Sequence, residues 1–502
     1  MTTQVELNVP SEKAATSSSD SISKKHIISI LAGPIVCALL LLMDAPAGLS
    51  PEAWKLVAVV SWMVIWWMTE AAPVAVTALL PIILMPLFGI AGQKAVASSY
   101  AHPLIYLFLG GFLIAVAMQR WGLHKRIALT VVRMTGTSSS AIIGGFMGAT
   151  AFLSMWISNT ATTLMMFTVG ISLIEFISAK GKDPAQVRRF GIALMLGIAY
   201  SASIGGVATL IGTPPNTLLA SVMSDSYGVE IDFITWMMMG LPITIIMLPV
   251  VWFLLTRVIF PVGKLDLEGA DELVSRELKA LGVMSRGEKV VLTVFLATVF
   301  CWIFRKLIVS FTGLAITDTS IALIAASLLF VIPVSLEKKQ FTADWSGAKN
   351  IPWGVLLLLF GGGLALAGAF KSTGLAASIG DAVASLNAFD IAIIIAVTIV
   401  TIIFLTEITS NTATTATFLP ILGAVAVGLE FSPLVLAIPA ALAASMAFMM
   451  PVATPPNAIV FSYDGMQIKD MMKAGLWLNV ITIALIYCAT MLLAPAVFGL
   501  TF

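Results

Sequence analysis

The phrase SNTATT occupies residues 158–163 and recurs unchanged at residues 410–415. Each copy is six small or polar residues set in strongly apolar sequence. The surroundings make this informative. Of 502 residues, 59% are hydrophobic and 11% charged, whereas a soluble domain carries roughly 25% charged residues. Apolar runs of about 20 residues recur along most of the chain, the pattern of a polytopic helical membrane protein. Polar groups are expensive in that setting, so a phrase written twice needs a reason.

Net charge is +1, which gives no strongly basic face and excludes a nucleic-acid partner. Cys37, Cys301 and Cys488 sit in apolar runs at wide spacing. They form neither a metal-ligand pattern nor a disulfide framework and read as small apolar filler. Residues 1–25, rich in Ser, Thr, Lys and Glu, read as a disordered cytoplasmic tail. The apolar segment after Lys24 and Lys25 reads as a retained first span, placed at 26–53, because many spans follow and no small-residue cleavage site ends it.

The expected fold is all-α, with about eleven transmembrane helices and two re-entrant hairpins. Full spans are expected near 27–45, 54–69, 73–90, 103–118, 190–222, 233–260, 288–308, 318–334, 352–370, 431–463 and 474–498. The stretches 138–178 and 388–429 are apolar with a polar break in the middle, one SNTATT copy each. They read as hairpins that enter and leave on one side. With the N-terminus inside, most Lys and Arg residues fall on one side: Arg120/Lys125/Arg126/Arg133, Lys180/Lys182/Arg188/Arg189, Arg257 to Lys289, Lys338/Lys339/Lys349, and Lys469/Lys473. That fits the positive-inside rule and would be lost if either hairpin were a single crossing. It places the N-terminus in the cytoplasm and the C-terminus outside. The polar insert 261–287 alternates charge at helical spacing and reads as an amphipathic cytoplasmic linker.

The doubled hexamer belongs to a larger repeat. LFLGGFLIA at 107–115 matches LLFGGGLAL at 358–366, and GTPPNTLL at 212–219 matches ATPPNAIV at 453–460. The order is conserved and the offsets nearly constant, which indicates an internal duplication, 54–260 against 288–502. Each half holds five spans and a hairpin. Five is odd, so the second half lies upside down, an architecture common among secondary transporters.

The polar phrases suit a mid-membrane site. Irregular backbone at that depth is tolerated only inside protein or beside a water-filled cavity. Ser, Asn and Thr cap helix N-termini and supply neutral oxygens. Paired prolines in TPPN break a helix, leaving free carbonyls on one side and a helix N-terminus on the other. Carbonyls coordinate cations, and a helix N-terminus favours an anion. None of the four phrases contains a charged residue. An anion bound there needs cations beside it, and neutral oxygens suit Na⁺. Gly110/Gly111 and Gly361/Gly362 read as close helix packing, and Glu70, Glu175 and Glu407 as structural. No nucleophile–base pair or His/Asp/Glu cluster points to an enzyme. An anion channel would need a continuous pore, which two dead-end hairpins argue against.

From about residue 27 to the end, the paired SNT and PPN motifs resemble the divalent anion:sodium symporter family, which includes INDY-type dicarboxylate and citrate transporters. The resemblance implies a homodimer, each protomer with a scaffold domain and a mobile transport domain working by an elevator-like shift; the short loops and compact size point to a bacterial plasma membrane. It implies that Ser158, Asn159, Thr160, Ser410, Asn411 and Thr412, with Thr213 and Thr454, bind substrate. It implies one Na⁺ site at Ser154, Asn159 and Gly212 and another at Thr406, Asn411 and Ala453. The implied function is Na⁺-coupled symport of C4 dicarboxylates such as succinate, malate and fumarate. A sodium-independent dicarboxylate or citrate exchanger remains the alternative, and sulfate a weaker rival substrate.

Overall fold

The computed structural model describes residues 24–136, 138–180, 183–263, 270–383 and 389–502. The expected tail lies outside the described residues up to residue 23, as do residues 264–269 of the expected linker. The first half runs α1 (Lys24–Leu42), α2 (Pro51–Thr69), α3 (Val74–Thr77), α4 (Leu80–Leu87), α5 (Gln93–Ser99), α6 (Pro103–Arg120), α7 (Leu123–Met134), α8 (Ser139–Ser154), α9 (Asn159–Ala179), α10 (Pro184–Val207), α11 (Pro214–Tyr227) and α12 (Phe233–Phe253). A short wide turn at Leu254–Ile259 and α13 (Ala270–Ala280) lead into the second half. There follow α14 (Arg286–Ile303), α15 (Arg305–Thr312) and α16 (Asp318–Val331). Then come α17 (Phe360–Ser372), α18 (Leu375–Val383), α19 (Ile391–Thr406), α20 (Asn411–Gly428), α21 (Leu434–Ala444), α22 (Pro455–Phe461), α23 (Ile468–Leu492) and α24 (Ala494–Phe498).

Seven helices among the described residues are long and apolar enough to cross a membrane, or eight if α14 and α15, bent by 77°, count as one span. Two of the seven, α9 and α20, are arms of the expected hairpins. Of the remaining expected spans, 54–69 falls on the 19-residue α2, and the others fall on shorter apolar helices, such as Val74–Leu87, α16 and α21. Polar breaks and prolines divide them, so length alone undercounts segments that composition marks as apolar.

Caps explain where the elements begin. Ser50, Ser138 and Ser158 each accept a hydrogen bond from the backbone N–H three residues on, starting α2, α8 and α9. Pro214 and Pro455 start α11 and α22 at the first helical position, where a missing N–H does no harm. Three features were not anticipated. Amphipathic helices α7 and α18 follow α6 and α17, each introduced by a glycine at positive φ, Gly122 at 70° and Gly374 at 78°. A two-stranded antiparallel hairpin also interrupts the otherwise helical chain, β1 (Pro333–Ser335) paired with β2 (Gln340–Phe341).

The core is densest at the broken helices. Every residue of α10 from Phe190 to Val207 is buried, and α21 is buried throughout. Helix α10 packs against α8, α9, α12 and α22, while α21 packs against α19, α20, α23 and α11. Elsewhere α6 lies on α16, and α1 on α2. The glycine pairs serve close approach: a Cβ at Gly110 would stand 2.7 Å from the Cβ of Ala322, and one at Gly362 would stand 2.6 Å from the Ala78 carbonyl.

Candidate functional site

Each hairpin turns within a few residues. Helix α8 ends at Ser154 and α9 starts at Asn159; α19 ends at Thr406 and α20 starts at Asn411. The hydroxyl of Ser154 donates to Asn159 Oδ1 and also faces the Ala202 carbonyl at 2.7 Å. The second copy repeats this, with Thr406 Oγ1 at 2.8 Å from Asn411 Oδ1 and 3.0 Å from the Ala444 carbonyl. One hydroxyl carries one hydrogen, so at each tip two acceptors compete for it. Each is a buried cluster with more oxygen lone pairs than hydrogens, the donor set that a hard monovalent cation completes. Gly206 tightens the first cluster, since a Cβ there would lie 2.7 Å from Asn159 Oδ1. Gly212 stands close by, where a Cβ would come within 2.4 Å of the Gly206 carbonyl. Among the described residues no three His, Cys, Asp or Glu side chains are grouped to hold a metal ion.

The broken helices are held open by asparagines that the sequence reading did not single out. Asn216 Nδ2 donates to the carbonyls of Gly206 at 3.1 Å, Val207 at 3.3 Å and Thr209 at 2.8 Å. Asn457 Nδ2 donates to Ala447 at 3.2 Å and Met450 at 3.0 Å. Both are the final residue of a TPPN phrase, so their recurrence was the available signal. They satisfy carbonyls that the breaks release from helical bonding.

The two tips are secured differently. At the first, Thr209 donates to the Met155 carbonyl, and the Trp156 ring stacks on Phe233. At the second, Glu407 stands where the first has Met155. It is 3% exposed. Its carboxylate accepts from the backbone N–H groups of Phe448, Met449 and Met450 at 2.8 to 3.1 Å, and from Asn479 Nδ2 at 2.8 Å. Glu407 therefore has the structural, hydrogen-bonded role expected of it, and its partners are the unwound residues between α21 and α22 together with Asn479 on α23.

A cavity of about 600 Å³ joins these parts. All eight residues expected to contact substrate line it: Ser158, Asn159, Thr160, Thr213, Ser410, Asn411, Thr412 and Thr454. Gly212 and Ala453 line it as well. Ser154 and Thr406 are not in the lining; they lie behind it, bonded to the two asparagines. Phe108, Phe112, Trp156, Pro352 and Val355 complete an apolar wall. Helices α9, α11, α20 and α22 all begin at this cavity. The first three have 14 or more residues, and their N-termini present partial positive charge. No Lys, Arg or His is among the described lining residues. Glu70, expected to be structural, is in the lining, whereas Glu175 is exposed on α9.

Residues 24–500 match the family described as the sodium:sulfate symporter transmembrane region. The chain is 42% identical over 482 residues to the sodium-dependent dicarboxylate transporter SdcS of Staphylococcus saprophyticus, covering 95% of this chain and 92% of that one. It is 40% identical over 484 residues to SdcS of Staphylococcus aureus strain USA300, covering 95% and 93%. Among solved structures it resembles Neisseria gonorrhoeae MtrF (TM-score 0.56, 13% identity, covering 92% of this chain and 94% of that one). It also resembles the Alcanivorax borkumensis YdaH transporter (TM-score 0.53, 12% identity, covering 94% and 97%). At such identity the two structures speak to the fold alone, a largely helical one.

Proposed function

Because the chain belongs to the divalent anion:sodium symporter family, we propose that it is a Na⁺-coupled symporter of C4 dicarboxylates such as succinate, malate and fumarate. The observation that carries this reading is the pair of oxygen-rich clusters behind Asn159 and Asn411, set against a cavity with no basic side chain among the described lining residues. A dicarboxylate there has helix N-termini and hydroxyls to bind it, but no Lys or Arg to balance its charge. Na⁺ at Ser154, Asn159 and Gly212, and at Thr406, Asn411 and Ala453, would supply that balance as co-substrate. The dicarboxylate would lie against Ser158, Asn159, Thr160 and Thr213 from one half and Ser410, Asn411, Thr412 and Thr454 from the other. The same lack of fixed positive charge favours symport over sodium-independent exchange, in which nothing would offset the dianion.

The reading extends to architecture. Residues 54–260 and 288–502 form the two inverted repeats, joined by the 261–287 linker. Both hairpins and both broken helices belong to a transport domain that moves, elevator-like, against a scaffold. The protein works as a homodimer in the plasma membrane, with its N-terminus in the cytoplasm and its C-terminus outside. Moving a dianion inward against a negative interior costs about 2.3 kcal/mol per charge per 100 mV. Two Na⁺ cancel that charge, and a further Na⁺ would let the potential drive uptake.

Radiolabelled succinate uptake into proteoliposomes without internal dicarboxylate tests the reading. Uptake under an inward Na⁺ gradient, absent with choline, is expected. Uptake that appears only after internal loading with succinate, and is indifferent to Na⁺, would make the protein an exchanger.

A further inference from the structure

Glu70 is the sole charged side chain among the described residues lining the cavity. It is exposed. No described residue donates a hydrogen bond to its carboxylate or forms an ion pair with it. Its backbone is left-handed, at φ 50° and ψ 34°, and its N–H closes α2 onto the Trp66 carbonyl. Such a helix end is the usual place for glycine. A glutamate held there accepts strain of the kind concentrated at functional positions.

Its place along the membrane follows from its neighbours. The segment after Glu70 packs on the turn that begins at Gly354, whose Cβ would lie 2.9 Å from the Cβ of Ala75. Just upstream, Asp344 pairs with Arg120, and Gly347 packs on Val116, at the C-terminal end of α6. That end of the fold carries Arg120, Lys125, Arg126, Lys338 and Lys339. The positive-inside rule assigns it to the cytoplasm. The cavity is open, since the lining residue Val452 is 75% exposed. Glu70 thus stands on the route between the tips and the cytoplasm.

Resting on the symport reading above, we infer that Glu70 is a specificity-determining residue of the inner mouth: its charge weakens dicarboxylate binding from the cytoplasmic side and promotes release after inward transport. Across a cavity roughly 10 Å wide, repulsion of a dianion by one carboxylate through water amounts to about fourfold in affinity, and more where protein replaces water. Salt screens this, because the Debye length is about 8 Å at physiological ionic strength.

The test is a charge series, Glu70→Gln, Glu70→Lys and Glu70→Gly, measured in inside-out and right-side-out membrane vesicles. At low salt, KM for succinate offered at the cytoplasmic face should fall about fourfold in the Gln and Gly variants and further in the Lys variant. KM at the outer face should not change, and raising the salt should shrink the inner effect. Cytoplasmic KM values that are equal across Glu, Gln and Lys would overturn the inference, provided the wild type transports. So would a pattern in which the Gly variant alone departs from the wild type, since that marks a purely backbone role. A wild type with no Na⁺-dependent uptake would instead remove the symport reading, and this inference with it.

Discussion

Replacing Glu407 by Gln changes one atom and should disable the second half of the site. The carboxylate has four N–H donors around it, the backbone groups of Phe448, Met449 and Met450 and the side-chain amide of Asn479. Every partner is a donor, so the position fits an acceptor with two oxygens and no hydrogen. A glutamine keeps one oxygen, which can stay with Phe448 and Asn479. Its NH₂ then meets the N–H of Met450, donor against donor. One buried N–H loses its partner, at about 1–3 kcal/mol, and the other bonds lose the charge that made them worth about 1.5–3 kcal/mol each. A total near 4 kcal/mol is expected, enough to displace the unwound residues 445–454 that carry Ala453 and Thr454. The purified variant should melt several degrees below the wild type in detergent, and Na⁺-dependent succinate uptake should fall at least tenfold. Wild-type melting and uptake in the Gln variant would refute the reasoning, because the break would then hold its shape without the carboxylate.

Three further outcomes follow from the geometry. Asn159→Ala or Asn411→Ala should abolish Na⁺-dependent uptake while the protein still elutes as a folded species on size exclusion. Gly206→Ala places a methyl group 2.7 Å from Asn159 Oδ1, so the Na⁺ concentration for half-maximal uptake should rise several-fold with little change in expression. Asp232, at the start of α12, is partly buried, which pushes its pKa up, but bonds from Thr235 and the Lys306 ammonium outweigh this and hold it below the usual carboxylate range. Its contribution is therefore present above the unfolded value near pH 3.9 and lost as pH falls through the lower folded value; thermal melts across that acid window should lose stability faster in the wild type than in Asp232→Asn.

Much of the site was readable in the sequence because the chain states it twice. A repeated polar phrase in an apolar context is costly, and its symmetric partner rules out accident. Ser158–Thr160, Ser410–Thr412 and the two TPPN breaks were found on that ground; both triplets, Thr213, Pro214 and Thr454–Pro456 line one cavity. What escaped was either singular or tertiary. Glu407 replaces Met155 in the second copy, so no repeat announced its donors, which come from 41 to 72 residues away. Gly206 matters through what its missing side chain permits, and nothing local reveals that. Helices α7 and α18 are short and amphipathic, so they read as loops in a search for long apolar runs. Glu70 was visible, but its position in the lining depends on how Val74 and Ala75 meet the segment at Pro352 and Gly354.

The central claim is that two oxygen-rich clusters bind Na⁺ and thereby make the cavity fit for a dianion. The direct measurement is the simultaneous flux of ²²Na⁺ and labelled succinate into one preparation of proteoliposomes. The account predicts that both isotopes enter together with at least two Na⁺ per succinate, and that Thr406→Val lowers both fluxes in parallel. Succinate entry with no accompanying ²²Na⁺ would contradict it.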